Sequence, residues 1–233
     1  MNIYWIAAPA LLAMTGCVEF HADPGPTRTF EQSLEAGKAD NLRAEIRMGV
    51  GKLEVEGGGK AAMDGSFRYS ENLGKPDVRY EQTGFRGRIV VESHGQKTIG
   101  DVENEWKLRF GDKLPIDFDV KLGAGESKMD LSALPVRNVD INMGVGELRL
   151  NLNGAYKRDV DVKVHGGVGE AHIQLPKGVG VIVDASGGIG EINVKGLEKR
   201  DGKYVNAAYD AGRPAVRMQV RGGVGEIHLT VVE

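Results

Sequence analysis

Five glutamates hold the same place relative to a glycine pair: Glu126, Glu147, Glu170, Glu191 and Glu226 each close a Gly-x-Gly-Glu motif. Carboxylates repeated at one structural position can ligate a cation or line a solvated strand. If the motifs stack in register, the carboxylates form a ladder at about 4.8 Å. Like charges at that distance repel by roughly 1 kcal/mol in water and by more in a drier site. Three things could offset the repulsion. The residues two positions on, Lys128, Arg149, His172, Asn193 and His228, share the face and are mostly basic or polar. Backbone N–H groups left open at the glycines can donate to the carboxylates. A bound cation such as Ca²⁺, which needs several oxygen ligands, is the third. The first two are the expected offsets. No metal or cofactor is expected, and a cation ladder on the five glutamates is the alternative.

Other chemistry finds little footing. A dinucleotide fingerprint needs Gly-x-Gly-x-x-Gly between a strand and a helix; the third glycine is absent here. There is no Walker sequence and no Gly-x-Ser-x-Gly nucleophile elbow. The five histidines, His21, His94, His165, His172 and His228, include no His-x-x-x-His pair and none at ligand spacing from a cysteine. His172 and His228 share an outward repeat position and read as part of a solvated face. Asp119, Asp130, Asp140, Asp159, Asp161 and Asp184 are outward by alternation, with no pair marked as catalytic. No catalytic residues are expected. With 30 basic against 33 acidic residues, the chain shows no electrostatic footprint for nucleic acid.

The elements that must carry the glutamates show themselves by repetition. Gly-x-Gly begins at Gly49, Gly123, Gly144, Gly167, Gly188 and Gly223, at spacings of 74, 21, 23, 21 and 35, and the first copy ends in Lys52 rather than glutamate. On either side the apolar residues alternate, as in strands. Their parity flips at each copy: Val160, Val162, Val164 and Val168 give way to Ala171, Ile173 and Leu175. Val139, Ile141, Met143 and Val145 give way to Leu148, Leu150 and Leu152. Val216, Met218, Val220 and Val224 give way to Ile227, Leu229 and Val231. A one-residue slip turns every strand side chain to the opposite face, so a chain that keeps one interior must bend there, and glycine permits the bend. Each unit therefore reads as strand, Gly-x-Gly corner, strand, with one face inward throughout. Three or more such units bury a common core by stacking. A β-solenoid or related stacked sheet is favoured; a barrel or sandwich of antiparallel hairpins is the alternative.

The N-terminus reads as an export signal. Ile3 to Met14 is apolar, too short to span a bilayer and of signal-peptide length. It ends in Met14-Thr15-Gly16-Cys17, which resembles a bacterial lipobox, although Met1 to Met14 carries no Lys or Arg. The resemblance implies that Cys17, the single cysteine, becomes a lipidated N-terminus at the cell envelope. Residues 1–16 are the expected signal peptide and 17–40 the expected lipidated cysteine and flexible tether, with a short helical turn possible over Glu31 to Lys38. Residues 41–118 form an N-terminal β part, and 119–233 the repeat-built part.

Three stretches together resemble the bacterial toast-rack family. These are Phe67 to Tyr80 with its Phe-x-Tyr and Val-x-Tyr strands, Trp106-Lys107-Leu108 leading into Leu114-Pro115-Ile116-Asp117, and Gly123-Ala124-Gly125-Glu126 followed by Met129-Asp130-Leu131-Ser132. Over roughly Leu42 to Glu233 the chain is similar to the C-terminal domain of LiaF-type cell-wall stress response proteins and to adhesin-like domains of the same architecture. The resemblance implies a stacked all-β domain at the bacterial envelope and carries over no catalytic residue. LiaF-type proteins have transmembrane helices, so their signalling role is not carried over.

The insertion Leu197 to Pro214 holds Asp201-Gly202, a hairpin turn signal, together with Tyr204 and Tyr209. It is either a binding loop or a cap over an exposed sheet edge. The expected function is a non-enzymatic envelope lipoprotein acting as an interaction or structural module. Its partners would be a membrane, through the lipid, and an envelope protein or glycan. A carbohydrate-active β-helix enzyme and a glycan-binding adhesin using Tyr204 and Tyr209 are the alternatives.

Overall fold

The structure, a computed structural model, describes residues 25–94, 102–210 and 213–232. The export segment and Cys17 lie outside the described residues. In chain order the strands are β1 (Thr27–Leu34), β2 (Asn41–Gly57), β3 (Met63–Ser70), β4 (Asp77–Thr83), β5 (Arg86–Glu92), β6 (Asn104–Phe110), β7 (Ile116–Asp130), β8 (Val136–Asn151), β9 (Val160–Pro176), β10 (Gly180–Ser186), β11 (Ile192–Lys195), β12 (Glu198–Arg200), β13 (Lys203–Val205) and β14 (Ala215–Val232). The one helical element among the described residues is a single 3₁₀ turn at Glu71–Leu73.

The stacked parallel arrangement expected from the repeat is what forms. β2, β7, β8, β9 and β14 pair in parallel with every Gly-x-Gly in register, so that Val50, Ala124, Val145, Val168 and Val224 follow one another across five strands. Each strand bends at its glycines. The single sheet is thereby folded into two walls. The first wall, from the halves before the glycines, runs β4-β5-β2-β7-β8-β9-β14-β10-β13-β12. The second, from the halves after them, runs β1-β3-β6-β2-β7-β8-β9-β14-β11. One contiguous core fills the space between: Ile46, Phe118, Val120, Ile141, Val162 and Val216 from the first wall meet Leu53, Met129, Leu148, Leu150, Ile173 and Leu229 from the second.

The parity flip holds for these flanking rows, but its middle residue corrects the expectation of an unbroken inward face. Leu148 is buried and Ala171 half-buried, whereas Val145 is 53% and Val168 50% exposed. The second glycine turns the chain at positive φ, which throws the residue before it onto the convex side of the bend.

Two further expectations change. The tether assigned to 17–40, and the helical turn within it, give way to β1 over part of that range. β1 pairs antiparallel with β3 from Thr27↔Ser70 to Leu34↔Met63, and Phe30 stacks on Phe67 with ring centroids 4.6 Å apart. As an edge strand it packs on one side, so Phe30 and Leu34 are its whole apolar period. The boundary at 118/119 falls inside β7, and one sheet and one core run through both parts.

Stack order also departs from chain order. β14 is inserted between β9 and β10. The Gly188 copy, split between the seven-residue β10 and the four-residue β11, takes the edge. The 18-residue β14 has apolar residues along both halves and takes the interior position.

Candidate functional site along the glycine corner

The corner requires the second glycine of every motif and, in every copy after the first, the first glycine as well, for different reasons. The second, at Gly51, Gly125, Gly146, Gly169, Gly190 and Gly225, has φ between +133° and +140°, a region L side chains rarely enter. A Cβ on Gly146 would also fall 1.8 Å from the carbonyl oxygen of Gly125. The first glycine has no unusual φ but, in the copies after Gly49, similar crowding: a Cβ on Gly144 would lie 2.4 Å from the Gly123 oxygen, whereas one on Gly49 would meet only Ser93 Oγ at 3.8 Å. Stacked corners thus bring backbone against backbone.

Three rows emerge side by side. At the crest is an exposed apolar line, Val50, Ala124, Val145, Val168 and Val224, continued by Ile189 through an isolated bridge to Val224. Ile189 is 73% exposed. On the first-wall side run Arg47, Lys121, Asn142, His165 and Arg221 in register. On the second-wall side run Lys52, Glu126, Glu147, Glu170 and Glu226, with Glu191 beside Glu226, where its carbonyl accepts from Ile227 N–H. The glutamate ladder therefore exists as the repeat implied.

Its charge is met unevenly. Arg149 Nε donates to Glu147 Oε1 at 2.6 Å, and Lys52 Nζ lies 3.6 Å from Glu126 Oε2. Lys128 turns instead to Glu54, at 3.3 Å. On β9 and β14 imidazoles take this place: His172 Nε2 is 3.2 Å from Glu170 Oε2 and 3.8 Å from Glu147 Oε1, and His228 Nε2 is 3.0 Å from Glu226 Oε2. The two rings stack with centroids 4.5 Å apart and planes 5° from parallel. Alternation placed both histidines at one repeat position; their contact depends on β14 lying beside β9, which chain order hides.

The strongest electrostatic cluster lies elsewhere and escaped sequence reasoning. Glu45, 6% exposed on the outer face of β2, accepts from Arg88 Nε and Nη2, both at 2.8 Å, from Arg47 Nη2 at 2.8 Å and from Arg43 Nε at 3.1 Å. The Arg88 hydrogen bonds foremost, opposed by burial, lower its pKa to about 2. The alternation Arg43-x-Glu45-x-Arg47 was a visible signal for two of the partners; Arg88 arrives through the β2–β5 pairing.

Most of the outward aspartates are tied into the walls. Asp117 takes a fork from Arg137 at 3.1 and 2.6 Å. Arg43 reaches Asp119 at 3.0 Å, and Asn142 donates to Asp140 at 2.7 Å. Asp130 accepts from Ser132 and Asn151. The Arg217 guanidinium holds the Asp159 carboxyl below its ordinary range, and Arg221 does the same for Asp184. In the insertion, Asp201 and Gly202 turn at φ 49° and 77° and β13 closes on the β10 edge. Asn206 fastens it: its Oδ1 accepts from Val181 N–H at 2.9 Å, and its Nδ2 donates to the carbonyls of Pro176 and Val179 at 3.0 and 2.8 Å. Tyr204 and Tyr209 are each half-buried, Tyr204 against the end of the core.

Residues 23–174 match the family described as the N-terminal domain of toast_rack, DUF2154. A crystal structure of a putative cell adhesion protein from Clostridium sporogenes ATCC 15579 is 32% identical, covers 89% of this chain and 100% of its own, and superposes with a TM-score of 0.85. A putative adhesin from Bacteroides fragilis NCTC 9343 is 12% identical over 88% of this chain and 97% of its own, with a TM-score of 0.32. No curated protein matches the chain.

Proposed function

The chain belongs to the toast-rack family, and from that premise we propose that it is a non-enzymatic interaction module of the cell envelope, held to a membrane by a lipid on Cys17 and presenting its glycine corner to another envelope protein. One observation carries this reading: a continuous apolar crest, from Val50 to Ile189, lies exposed between a row rich in cations and a row of carboxylates. Contiguous exposed apolar surface marks interaction sites in soluble domains, and an apolar strip with a polar rim is the anatomy of a protein interface. The crest is also rigid. Val and Ile have stiff χ1 angles, and the backbone beneath is fixed by two glycine rows, so little entropy is lost on docking. The naming of the C. sporogenes relative as a putative cell adhesion protein is in keeping with such a role.

The enzyme alternative has less support, because most of the outward aspartates are engaged by Arg, Asn or Ser within the walls. The glycan-binding alternative needs Tyr204 and Tyr209 as an open platform, and both are half-buried in the edge cap.

The test is a triple replacement, Val145→Ser, Val168→Ser and Val224→Ser, in the full chain. Since the three side chains are about half exposed, thermal stability should change little. Cross-linking in intact envelopes should recover a protein partner with the native chain and lose it with the variant. Recovery of no partner, or equal recovery by both, overturns the reading. The anchor is tested separately: Cys17→Ser should release the protein from the membrane fraction, and unchanged fractionation removes the lipid from the account.

A further inference from the structure

We propose that Glu170, His172 and His228, on the outer face of β9 and β14, form a binding site for a divalent transition metal of the zinc class. Among the described residues this is the one group of three or more His, Cys, Asp or Glu whose ligand atoms all lie within 4.8 Å of one another.

The backbone brings them together. His172 and His228 are register partners on adjacent parallel strands, so both imidazoles leave the same face at the same height. Each has a glutamate two residues earlier on that face, and its Nε2 points at that carboxylate, 3.2 Å away at Glu170 and 3.0 Å at Glu226. Two nitrogens and a carboxylate oxygen therefore lie within 4.8 Å of one another, although the stacked rings must turn before both nitrogens face one ion; Glu226, 3.0 Å from His228, borders the cluster. Zinc takes His and carboxylate ligands at about 2.0–2.2 Å in tetrahedral sites. Two ligands of a tetrahedral ion stand about 3.4 Å apart at those bond lengths, so the two imidazoles must rotate out of their stack to close on one ion, and all three side chains reach solvent, which leaves them room to do so.

The donor set selects the class of ion. Ca²⁺ and Mg²⁺ take oxygen ligands, whereas imidazole suits zinc, copper and nickel. The position in the ladder supplies the driving force. Glu147 is already met by Arg149 at 2.6 Å, but Glu170 and Glu226 face imidazoles, which are neutral when they ligate. A dication there would offset charge on the one stretch of the row, Glu170, Glu226 and Glu191, that has no Lys or Arg beside it in the next row, where His172, His228 and Asn193 stand. The inference is independent of the proposed partner, since the metal acts on the isolated chain.

The experiment uses the tag-free full chain, stripped with chelator, and titrates ZnCl₂ by calorimetry while following Tm. Native protein should bind one equivalent and gain Tm. His172→Asn and His228→Asn should each weaken binding by more than about tenfold, the scale on which metal sites respond even to loss of supporting groups. Glu170→Gln should weaken it as well. His165→Asn, on the other side of the crest, should bind as the native chain does. Co²⁺ should give the absorption of a nitrogen-ligated tetrahedral ion, lost in His228→Asn. The metal-free Tm of each variant checks its fold, and Glu170→Gln keeps the test decisive if a histidine variant does not fold. Absence of zinc binding, undiminished binding by the histidine variants, or a stronger response to CaCl₂ than to ZnCl₂ would overturn the proposal.

Discussion

The carboxylate row on the second wall has two ends built on the same backbone. From β2 to β8 it meets fixed cations: Lys52 beside Glu126 and Arg149 on Glu147. On β9 and β14 it meets the imidazoles of His172 and His228 instead. The glycine corner sets where each glutamate stands and leaves the residue two positions on to vary. A repeat of this kind separates scaffold from chemistry: rigidity is common to all copies, while the electrostatic character of a stretch depends on one side chain per strand.

The largest expected effect comes from breaking what both ends share. Gly146→Ala must place a side chain at φ +134° with its Cβ 1.8 Å from the Gly125 oxygen. A strained φ alone costs about 1–3 kcal/mol, and the backbone clash raises the total to roughly 4 kcal/mol or more, the range of the most damaging substitutions. Gly166→Ala is the control: it has no positive φ and nothing within 4 Å of the added carbon. Urea denaturation should show a large loss for the first and a change within about 0.5 kcal/mol for the second, as at ordinary surface positions. Equal effects would mean that the corner is not the shared frame.

Next in size is the contrast between the walls. Among the described residues the first wall holds one buried carboxylate, Glu45, among three arginines, whereas the ladder glutamates stand nearer the surface. Glu45→Gln leaves three guanidiniums facing a neutral amide. Removing one partner of a fully buried pair costs about 3–5 kcal/mol; because Arg43, Arg47 and Arg88 all reach solvent, about 2 kcal/mol is expected. The sign with pH follows from the lowered pKa. Glu45 contributes fully above its ordinary value of 4.5, and the contribution is lost as pH falls toward about 2. The native chain should therefore lose more stability than Glu45→Gln between those two pH values. Parallel pH curves would remove Glu45 as the acid-sensitive link.

Much of this was legible beforehand, and the exceptions share a cause. The recurrence of Gly-x-Gly-Glu and the parity flip around Val160–Leu175 predict bent strands stacked in parallel, because alternation and steric freedom are local properties. The outward turn of Val145 and Val168 was not legible, since their apolar character matches the inward row and only the path of the bend exposes them. Nor was the place of β14 beside β9, which is a choice among strand partners made by length and apolar content. The Glu45–Arg88 fork and the stacking of His172 on His228 both depend on such pairings. β1 hid for a different reason: an edge strand with Phe30 and Leu34 as its apolar residues has too short a period to be told from a tether.

The smallest effect tests the comparison most directly, by exchanging the two ends. His172→Arg places a fixed cation among Glu147, Glu170 and Glu226. Exposed ion pairs contribute about 0.2–1 kcal/mol, so a gain of a few tenths of a kcal/mol is expected. Arg149→His should lose a similar amount, as Glu147 exchanges a 2.6 Å guanidinium contact for a neutral ring. Both changes should vanish in 1 M salt, where the screening length falls to about 3 Å. The exchange should also move the response to zinc: His172→Arg should abolish it, and Arg149→His should strengthen it by aligning three imidazoles on β8, β9 and β14. If His172→Arg destabilises the chain as much as Arg149→His does, the histidines contribute through ring packing at 4.5 Å rather than through charge. The two ends would then differ in shape and not in electrostatics.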